Sequence, residues 1–264
     1  MRRYWRLAAL FCLVATASSA ADSRDPLARA RLLYNQRQFE AAIAAAEEGR
    51  RVPTLADSAD LVAARAYLER FRESAAADDL TAARERLRRI NPDRLSVRER
   101  AEYLVGLGEA LFFDEAAGAA AGVFESVLTG GAAPTPDARE RVLDWWASAV
   151  DRDARSRADL ERPIVYRTIR DRMQAELGAN PSSATELYWL SAAAWGLGDH
   201  QAAWDAAQAG WVRAPLASDR GAALRGDLDR LVLRAIIPDR ARALAQAPGS
   251  LETEWASFKE RWSR

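Results

Sequence analysis

Apolar residues recur along this chain every three or four positions, the spacing of helices that bury one face. The clearest example reads Leu104-x2-Leu107-Gly108-x2-Leu111, followed by Ala120-x3-Phe124 and Val127-Leu128. This pattern predicts two helices that pack against each other after a short turn. Gly108 is small where the second helix must approach, and each large side chain that fills the remaining space stabilises the fold by about 1.5 to 3 kcal/mol. Such a helix pair buries its apolar face fully only against a neighbouring pair.

A second stretch repeats this spacing nearer the carboxyl terminus. It reads Leu187-x2-Leu190-Ser191-x2-Ala194, then Gly198, Ala203-x3-Ala207, Gly210 and Pro215. Ser191 stands in the place of Gly108 as the small contact residue. Gly198 is predicted to take the left-handed conformation where the first helix ends, because glycine adopts it at little steric cost. Pro215 is expected to end the second helix, since proline lacks the amide hydrogen that a helix interior needs.

Turn and capping residues divide the rest of the sequence into further helix pairs. Ser96 with Glu99 predicts a capping box, and Ser183 with Glu186 predicts a second capped helix start. The predicted pairs cover about residues 25–52, 58–91, 96–128, 136–178 and 183–215. Beyond them, Ser250 is a predicted N-cap of a last helix. Its apolar stripe, which favours packing on its own chain, consists of Leu251, Trp255, Phe258 and Trp262.

The small-large spacing of residues 104–128 and 187–215, together with the closing Pro215 of the second stretch, resembles the tetratricopeptide repeat (TPR). Residues 27–52 and 61–90 resemble it more weakly. The resemblance implies an all-α fold for residues 22–264, in which helix-turn-helix repeats stack as a right-handed α-solenoid and residues 216–264 form C-terminal capping helices. The repeats average about 40 residues against ~34 in the family, and the fourth pair departs from the family pattern.

The first 21 residues differ in character from the rest of the chain. Three arginines within the first six positions precede an apolar run from Leu7 to Val14, and small residues occupy positions 17–21. This order is typical of a secretory signal peptide, with cleavage expected after Ala20 or Ala21. The apolar run is too short for the ~20 residues of a membrane-spanning helix. We therefore expect export to the periplasm or the medium, with no stable membrane span after cleavage.

Charge and cysteine content reduce the number of functions that the sequence allows. Removing the signal peptide takes three of the 38 basic residues and none of the 38 acidic ones, which leaves a formal charge of about −3. Because this balance provides no global field for a polyanion, nucleic acid is not expected as a partner. The only cysteine, Cys12, lies in the signal peptide. The mature chain therefore has no disulfide or thiolate chemistry, and no cofactor or metal is predicted.

The resemblance also implies a binding surface. In this family the first helix of each pair lines a concave groove that holds a peptide or a partner helix. The matching positions are Tyr34 and Asn35, Phe112 and Phe113, and Tyr188 and Trp195. An aromatic row of this kind suits an extended chain or an apolar helix, although the rings could instead pack between neighbouring pairs. The preferred interpretation is a non-catalytic scaffold for a protein or peptide partner.

Two other interpretations stay open at this point. The fourth pair carries Glu161, Asp171 and Glu176 beside Trp145 and Tyr166, which would suit a carboxylate-dependent enzyme that processes glycans or peptidoglycan. The arginine-rich segment 84–100 could hold an anionic polymer or a lipid head group. Its interspersed apolar residues favour an ordinary solvated helix face.

Overall fold

The computed structural model describes residues 25–130, 135–217 and 221–262. These residues form helices joined by short turns, and no strand occurs among them. The predicted all-helical class is therefore confirmed. The signal peptide predicted for residues 1–21 lies outside the described residues.

The helices follow the predicted intervals closely. In chain order they are α1 (Pro26–Asn35), α2 (Phe39–Arg50), α3 (Ala56–Ser74), α4 (Ala77–Arg89), α5 (Val97–Phe113), α6 (Ala117–Thr129), α7 (Pro136–Ser156), α8 (Arg162–Ala179), α9 (Ala184–Gly196), α10 (His200–Arg213), α11 (Gly221–Leu231), α12 (Ile237–Leu244) and α13 (Pro248–Trp262). Short 3-10 turns cover Pro92–Arg94 and Ala214–Leu216, and a π-helical turn, Val232–Ile236, joins α11 to α12. Each of the five predicted intervals thus contains two helices.

From α1 to α11, each helix packs against the next helix in the sequence. A second set of contacts joins alternate helices, so that α1, α3, α5, α7, α9 and α11 also touch in series. The core follows this arrangement, because its buried residues form successive clusters and each cluster draws on more than one helix pair. Burial is therefore supplied by neighbours along the chain rather than by one central core.

Two helix starts agree with the sequence prediction and one does not. The Ser96 hydroxyl accepts a hydrogen bond from the Glu99 amide and the Glu99 carboxylate accepts one from the Ser96 amide, which confirms the capping box. Ser183 accepts from the Glu186 amide at the start of α9. The prediction of Ser250 as an N-cap is wrong, because α13 already begins at Pro248 and the Ser250 hydroxyl donates to the Ala247 carbonyl. Proline is favoured in the first turn because its fixed φ suits a helix start.

Four of the five turns inside the helix pairs contain one residue with positive φ. Gly198, between α9 and α10, has a φ of +78°, as predicted. The corresponding turns of the first three pairs also contain one residue with positive φ, but these residues are Arg37, Ala75 and Glu115. A left-handed conformation costs a non-glycine residue about 1 to 2 kcal/mol. The packing of the paired helices must therefore hold three of these four turns in place.

The chain after α10 closes the array with a different arrangement. In the π-helical turn the Ile237 amide bonds to the Val232 carbonyl, five residues back, which widens the helix just before Pro238. Helix α13 then packs against α10 and α12. Its Trp255 is fully buried and donates from its indole nitrogen to Asp229, 2.7 Å away. Trp262, at the end of the same helix, remains 54% exposed.

Gly108 is the point of closest approach between α5 and α6. A Cβ atom added at Gly108 would lie 2.5 Å from the nearest ring carbon of Phe124, and Phe124 is fully buried. Real Cβ atoms do not approach a neighbour so closely, so any side chain here must displace the ring. The small residue that the sequence pattern marked is thus required by the packing.

We expect Gly108→Ala to lower the free energy of unfolding by about 1 to 3 kcal/mol, because the added methyl group overpacks the contact with Phe124. Gly122 on α6 is the matched control, since a Cβ atom there would have no neighbour within 4 Å. Gly122→Ala should leave stability unchanged or raise it by about 0.5 to 1 kcal/mol. Urea unfolding followed by circular dichroism measures both variants. Equal effects of the two substitutions would contradict this account of Gly108.

Candidate functional site

The six residues predicted to line a groove lie in three different helix pairs. Tyr34 and Asn35 end α1, Phe112 and Phe113 end α5, and Tyr188 and Trp195 lie in α9. Asn35 is exposed, whereas the five aromatic side chains are partly buried. Each of the three groups has its own contacts, which decide what it can offer to a ligand.

Phe112 and Phe113 belong to an aromatic cluster between α5 and α7. Trp145 lies at its centre, with ring centroids 5.2 Å from Phe112 and 5.7 Å from Phe113, both edge to face. Phe71 of α3 adds a further edge-to-face contact with Phe113 at 4.9 Å. We call Phe71, Phe112, Phe113 and Trp145 the aromatic cluster. All four rings are only partly buried, so each fills space between helices and remains partly accessible to solvent.

Two arginines extend over the aromatic cluster. The Arg72 guanidinium lies 5.4 Å from the centroid of the Trp145 ring. The Arg152 guanidinium lies 4.5 Å from the centroid of Phe112 and also donates to the Phe112 carbonyl oxygen at 3.0 Å. Guanidinium groups bind ring faces by cation–π attraction and keep their donors free at the edge. Arg72 also pairs with Glu69 of its own helix at 3.1 Å, so the positive charge that lacks a carboxylate partner among the described residues is that of Arg152.

Tyr34 has a comparable partner on the neighbouring helix. The Arg65 guanidinium lies 4.5 Å from the centroid of the Tyr34 ring and forms an ion pair with Glu102 at 2.7 Å. Burial raises the pKa of Tyr34 to about 12, so its hydroxyl stays neutral and able to donate. Burial alone would lower the pKa of Arg65, but Tyr34 and Glu102 outweigh it and the pKa lies above its ordinary value.

Glu109 is a site residue that the sequence prediction missed. It lies on α5 next to Gly108, and only 9% of its surface is exposed. Burial raises the pKa of its carboxyl to about 7, partly offset by Arg72 and reinforced by Glu69. A lone acid inside the apolar run from Leu104 to Leu111 was the available signal, because an unpaired charge on a buried face is costly.

Tyr188 and Trp195 are tied into the packing of the carboxyl-terminal helices. The indole nitrogen of Trp195 donates to Asp239 of α12 at 2.8 Å. Tyr188 packs edge to face on Trp189 at 5.1 Å. Burial raises the pKa of Tyr188 to about 12, and Asp227 adds to the increase. Trp195 is thus engaged in a contact between α9 and α12 and does not occupy a free position in a groove.

The acids of the fourth pair are not assembled into one centre. Glu176 is held by Arg139 at 2.7 Å and Arg172 at 3.0 Å, and its hydrogen bonds with Arg139 first and Arg172 next hold its pKa below the usual value. Asp171 is exposed and pairs with the adjacent Arg170. Glu161 lies ten residues before Asp171, or about 15 Å along a helix axis. The Tyr166 hydroxyl donates to Asp151 instead, at 3.0 Å, and Trp145 lies in the aromatic cluster.

A second buried acid, Glu186, lies where α9 meets α7 and α8. Its surface is 2% exposed, and its Oε2 atom has no hydrogen-bond partner within the described part of the chain. Burial raises the pKa of this carboxyl to about 7, and the nearby Glu140, Glu176 and Asp144 add to the increase. Glu186 therefore holds a proton in the folded state at pH values where a solvated glutamate has released it.

Comparison with known proteins adds no relative to this picture, since no family model, curated protein or solved structure matches the chain. Within residues 25–130, 135–217 and 221–262, no helix combines the length and the apolar character needed to cross a bilayer. The same residues contain no group of three or more histidine, cysteine or acidic side chains placed to hold a metal ion. The candidate site therefore rests on its own geometry.

The buried carboxyl of Glu186 makes stability depend on pH. Its folded pKa lies above the ordinary 4.5, so its contribution is fully present below that value and is lost as the pH rises through about 7. We expect Glu186→Gln, which mimics the protonated form, to be more stable than the parent at pH 8 by on the order of 2 kcal/mol. The difference should shrink toward pH 5.

Chemical denaturation at pH 5, 6, 7 and 8 measures this difference. Glu254→Gln is the control for the removal of one acidic side chain, because Glu254 is exposed on α13. A difference between Glu186→Gln and the parent that does not change with pH would show that the carboxyl is not protonated in the fold.

Proposed function

We propose that this chain is an exported, non-catalytic, TPR-like scaffold that binds a peptide or protein partner on the surface formed by its first helices. The observation that carries the proposal is the aromatic cluster with the stacked guanidinium groups of Arg72 and Arg152. Aromatic rings and arginine dominate the energetics of protein interfaces because they offer large contact areas and directional donors.

The helix contacts support a solenoid as the setting of this surface. The first helices α1, α3, α5, α7 and α9 touch each other in series, while each second helix lies against its sequence neighbours. When one helix of every pair forms a continuous inner layer, the array curves and that layer lines the concave side. The aromatic cluster and the Tyr34–Arg65 stack both lie on helices of this layer. The right-handed α-solenoid and its groove remain part of the proposal.

The chemistry of the surface defines the partner. Arg152 presents donors beside the partly exposed rings, and burial raises the pKa of the Glu109 carboxyl to about 7, so that this group is about half protonated at that pH. A partner segment with a carboxylate next to an apolar or aromatic side chain satisfies both features. An extended peptide or one helix face has the dimensions of a single groove.

Export is the second part of the proposal, and it rests on the sequence. The arginine-led apolar run and the small residues before Asp22 match a signal peptide. The mature chain is then placed in the periplasm or the medium, and its partner is expected there. The carboxylate-dependent alternative gains no support, because Glu176 is held by two arginines and the other two acids lie at separate levels of the fourth pair.

The partner class can be tested by selecting peptides from a random displayed library on the mature protein. We expect selected peptides to lose at least about tenfold in affinity with Arg152→Gln and with Phe112→Leu, since both remove part of the proposed contact. Phe112→Leu retains most of the buried volume, so the fold should persist. Fluorescence anisotropy measures the affinities, and circular dichroism checks the fold.

Arg141→Gln is the matched control for charge, because Arg141 is exposed on the same helix as Arg152. Its affinity should stay within about twofold of the parent. Peptides that bind all three variants as tightly as the parent would place the binding surface elsewhere. A library that yields no binding peptide would also argue against the scaffold.

A further inference from the structure

A cleft away from the first-helix surface lies where three helix ends meet. It is formed by the end of α2, the start of α3 and the end of α4, and its volume is about 500 Å³. Its lining residues are Glu47, Arg50, Arg51, Ala56, Asp57, Asp60, Arg89 and Arg94. All but one of these are charged, which sets the cleft apart from an apolar ligand pocket. We call it the arginine cleft.

The carboxylates of the arginine cleft are already engaged by the protein. Asp60 is 4% exposed and binds Arg86 at 2.9 Å and Arg50 at 3.4 Å. Glu47 forms an ion pair with the same Arg86. Asp57 accepts a hydrogen bond from the Asn91 amide at 2.8 Å and lies 3.6 Å from Arg94. The acids therefore stabilise the walls and are not available to a cation.

The guanidinium groups outnumber these acids. The four lining arginines and Arg86 face four carboxylates, those of Glu47, Asp57, Asp60 and Glu85, which leaves an excess of one positive charge. Arg51 has no carboxylate partner among the described residues. Arg89 meets only Glu85 of its own helix, at 3.6 Å, and both side chains are largely exposed. Arg51 and Arg89 thus have donors free for a ligand, and no element of the fold depends on them.

The start of α3 adds to the same field. Ala56, its first residue, lines the cleft, and no side chain caps this 19-residue helix. The exposed amides of a helix start carry partial positive charge. This contribution strengthens an anion preference that the arginines already establish.

We propose that the arginine cleft binds a phosphate monoester of a small soluble molecule. A phosphate monoester is an anion and suits the net positive charge of the cleft, and guanidinium groups such as those of Arg51 and Arg89 pair with phosphate oxygens in a bidentate geometry. The cleft is much larger than one phosphate group, so it has room for the organic substituent. The ligand gives the arginine-rich segment 84–100 a function, because Arg86, Arg89 and Arg94 all belong to it.

Isothermal titration of the mature protein with inorganic phosphate and with glycerol 3-phosphate tests the proposal at constant ionic strength. We expect one site per chain, and at least about tenfold weaker binding of glycerol 3-phosphate to the double variant Arg51→Gln, Arg89→Gln. The single variant Arg51→Gln should show an intermediate loss. Because neither arginine bridges two elements, circular dichroism should show an unchanged fold.

The control is the double variant Arg88→Gln, Arg141→Gln, which removes the same charge from exposed positions outside the cleft. Its affinity should match the parent. Equal weakening in both double variants would mean a general field effect and would overturn the site. Vesicles that contain phosphatidic acid form a third arm, since they carry the same monoester on a lipid. Binding to vesicles but to neither soluble ligand would also overturn it, as would no binding at all.

Discussion

The structure depends on how closely consecutive helices can approach each other. Where α5 meets α6, the space that a side chain at Gly108 would need is filled by the Phe124 ring. Where α9 meets α8, the Tyr166 ring takes the same space at Gly196. A large ring on one helix thus packs directly against the glycine backbone of the other helix, and no gap remains between the two surfaces. Ser191 adds a variation, because its buried hydroxyl donates to the Ala203 carbonyl of the facing helix.

Packing between helices also carries ionisable groups into the interior. Glu109 on α5 is buried, and the charged groups that act on its carboxyl, Arg65, Glu69 and Arg72, all lie on α3. Glu186 is buried at the start of α9 for a similar reason, since the first turn of that helix meets two other helices. Both acids lie on first helices, the layer to which we assign partner binding.

The local features of the fold were largely predictable from the sequence. The all-helical class, the capping box at Ser96 and the left-handed turn at Gly198 each depend on a few neighbouring residues. The three other left-handed turns were not predictable, because Arg37, Ala75 and Glu115 have no intrinsic preference for that conformation and adopt it under the constraint of packing. Ser250 was wrongly predicted as an N-cap because Pro248 starts the helix earlier.

The candidate sites were less predictable, since each depends on residues far apart in sequence. Phe112 and Phe113 were found by position in a repeat, but the contact of Phe112 with Trp145 joins residues 33 positions apart. The arginine cleft combines three helix ends, and only the Arg84 to Arg100 run gave a sequence signal for it. Glu186 was noted as a capping residue, yet its burial follows from the way α7 and α8 cover it.

The π-helical turn before Pro238 has a consequence for the carboxyl-terminal end of the molecule. One extra residue in a turn rotates everything that follows by about 100° around the helix axis. This rotation lets the consecutive residues Ile236 and Ile237 both be fully buried, and it orients Asp239 toward the indole of Trp195. The position of one wide turn thereby decides which side of α12 faces α10 and Trp195 of α9. Loss of a single residue there would redirect the whole closing segment without altering any side chain at the contact itself.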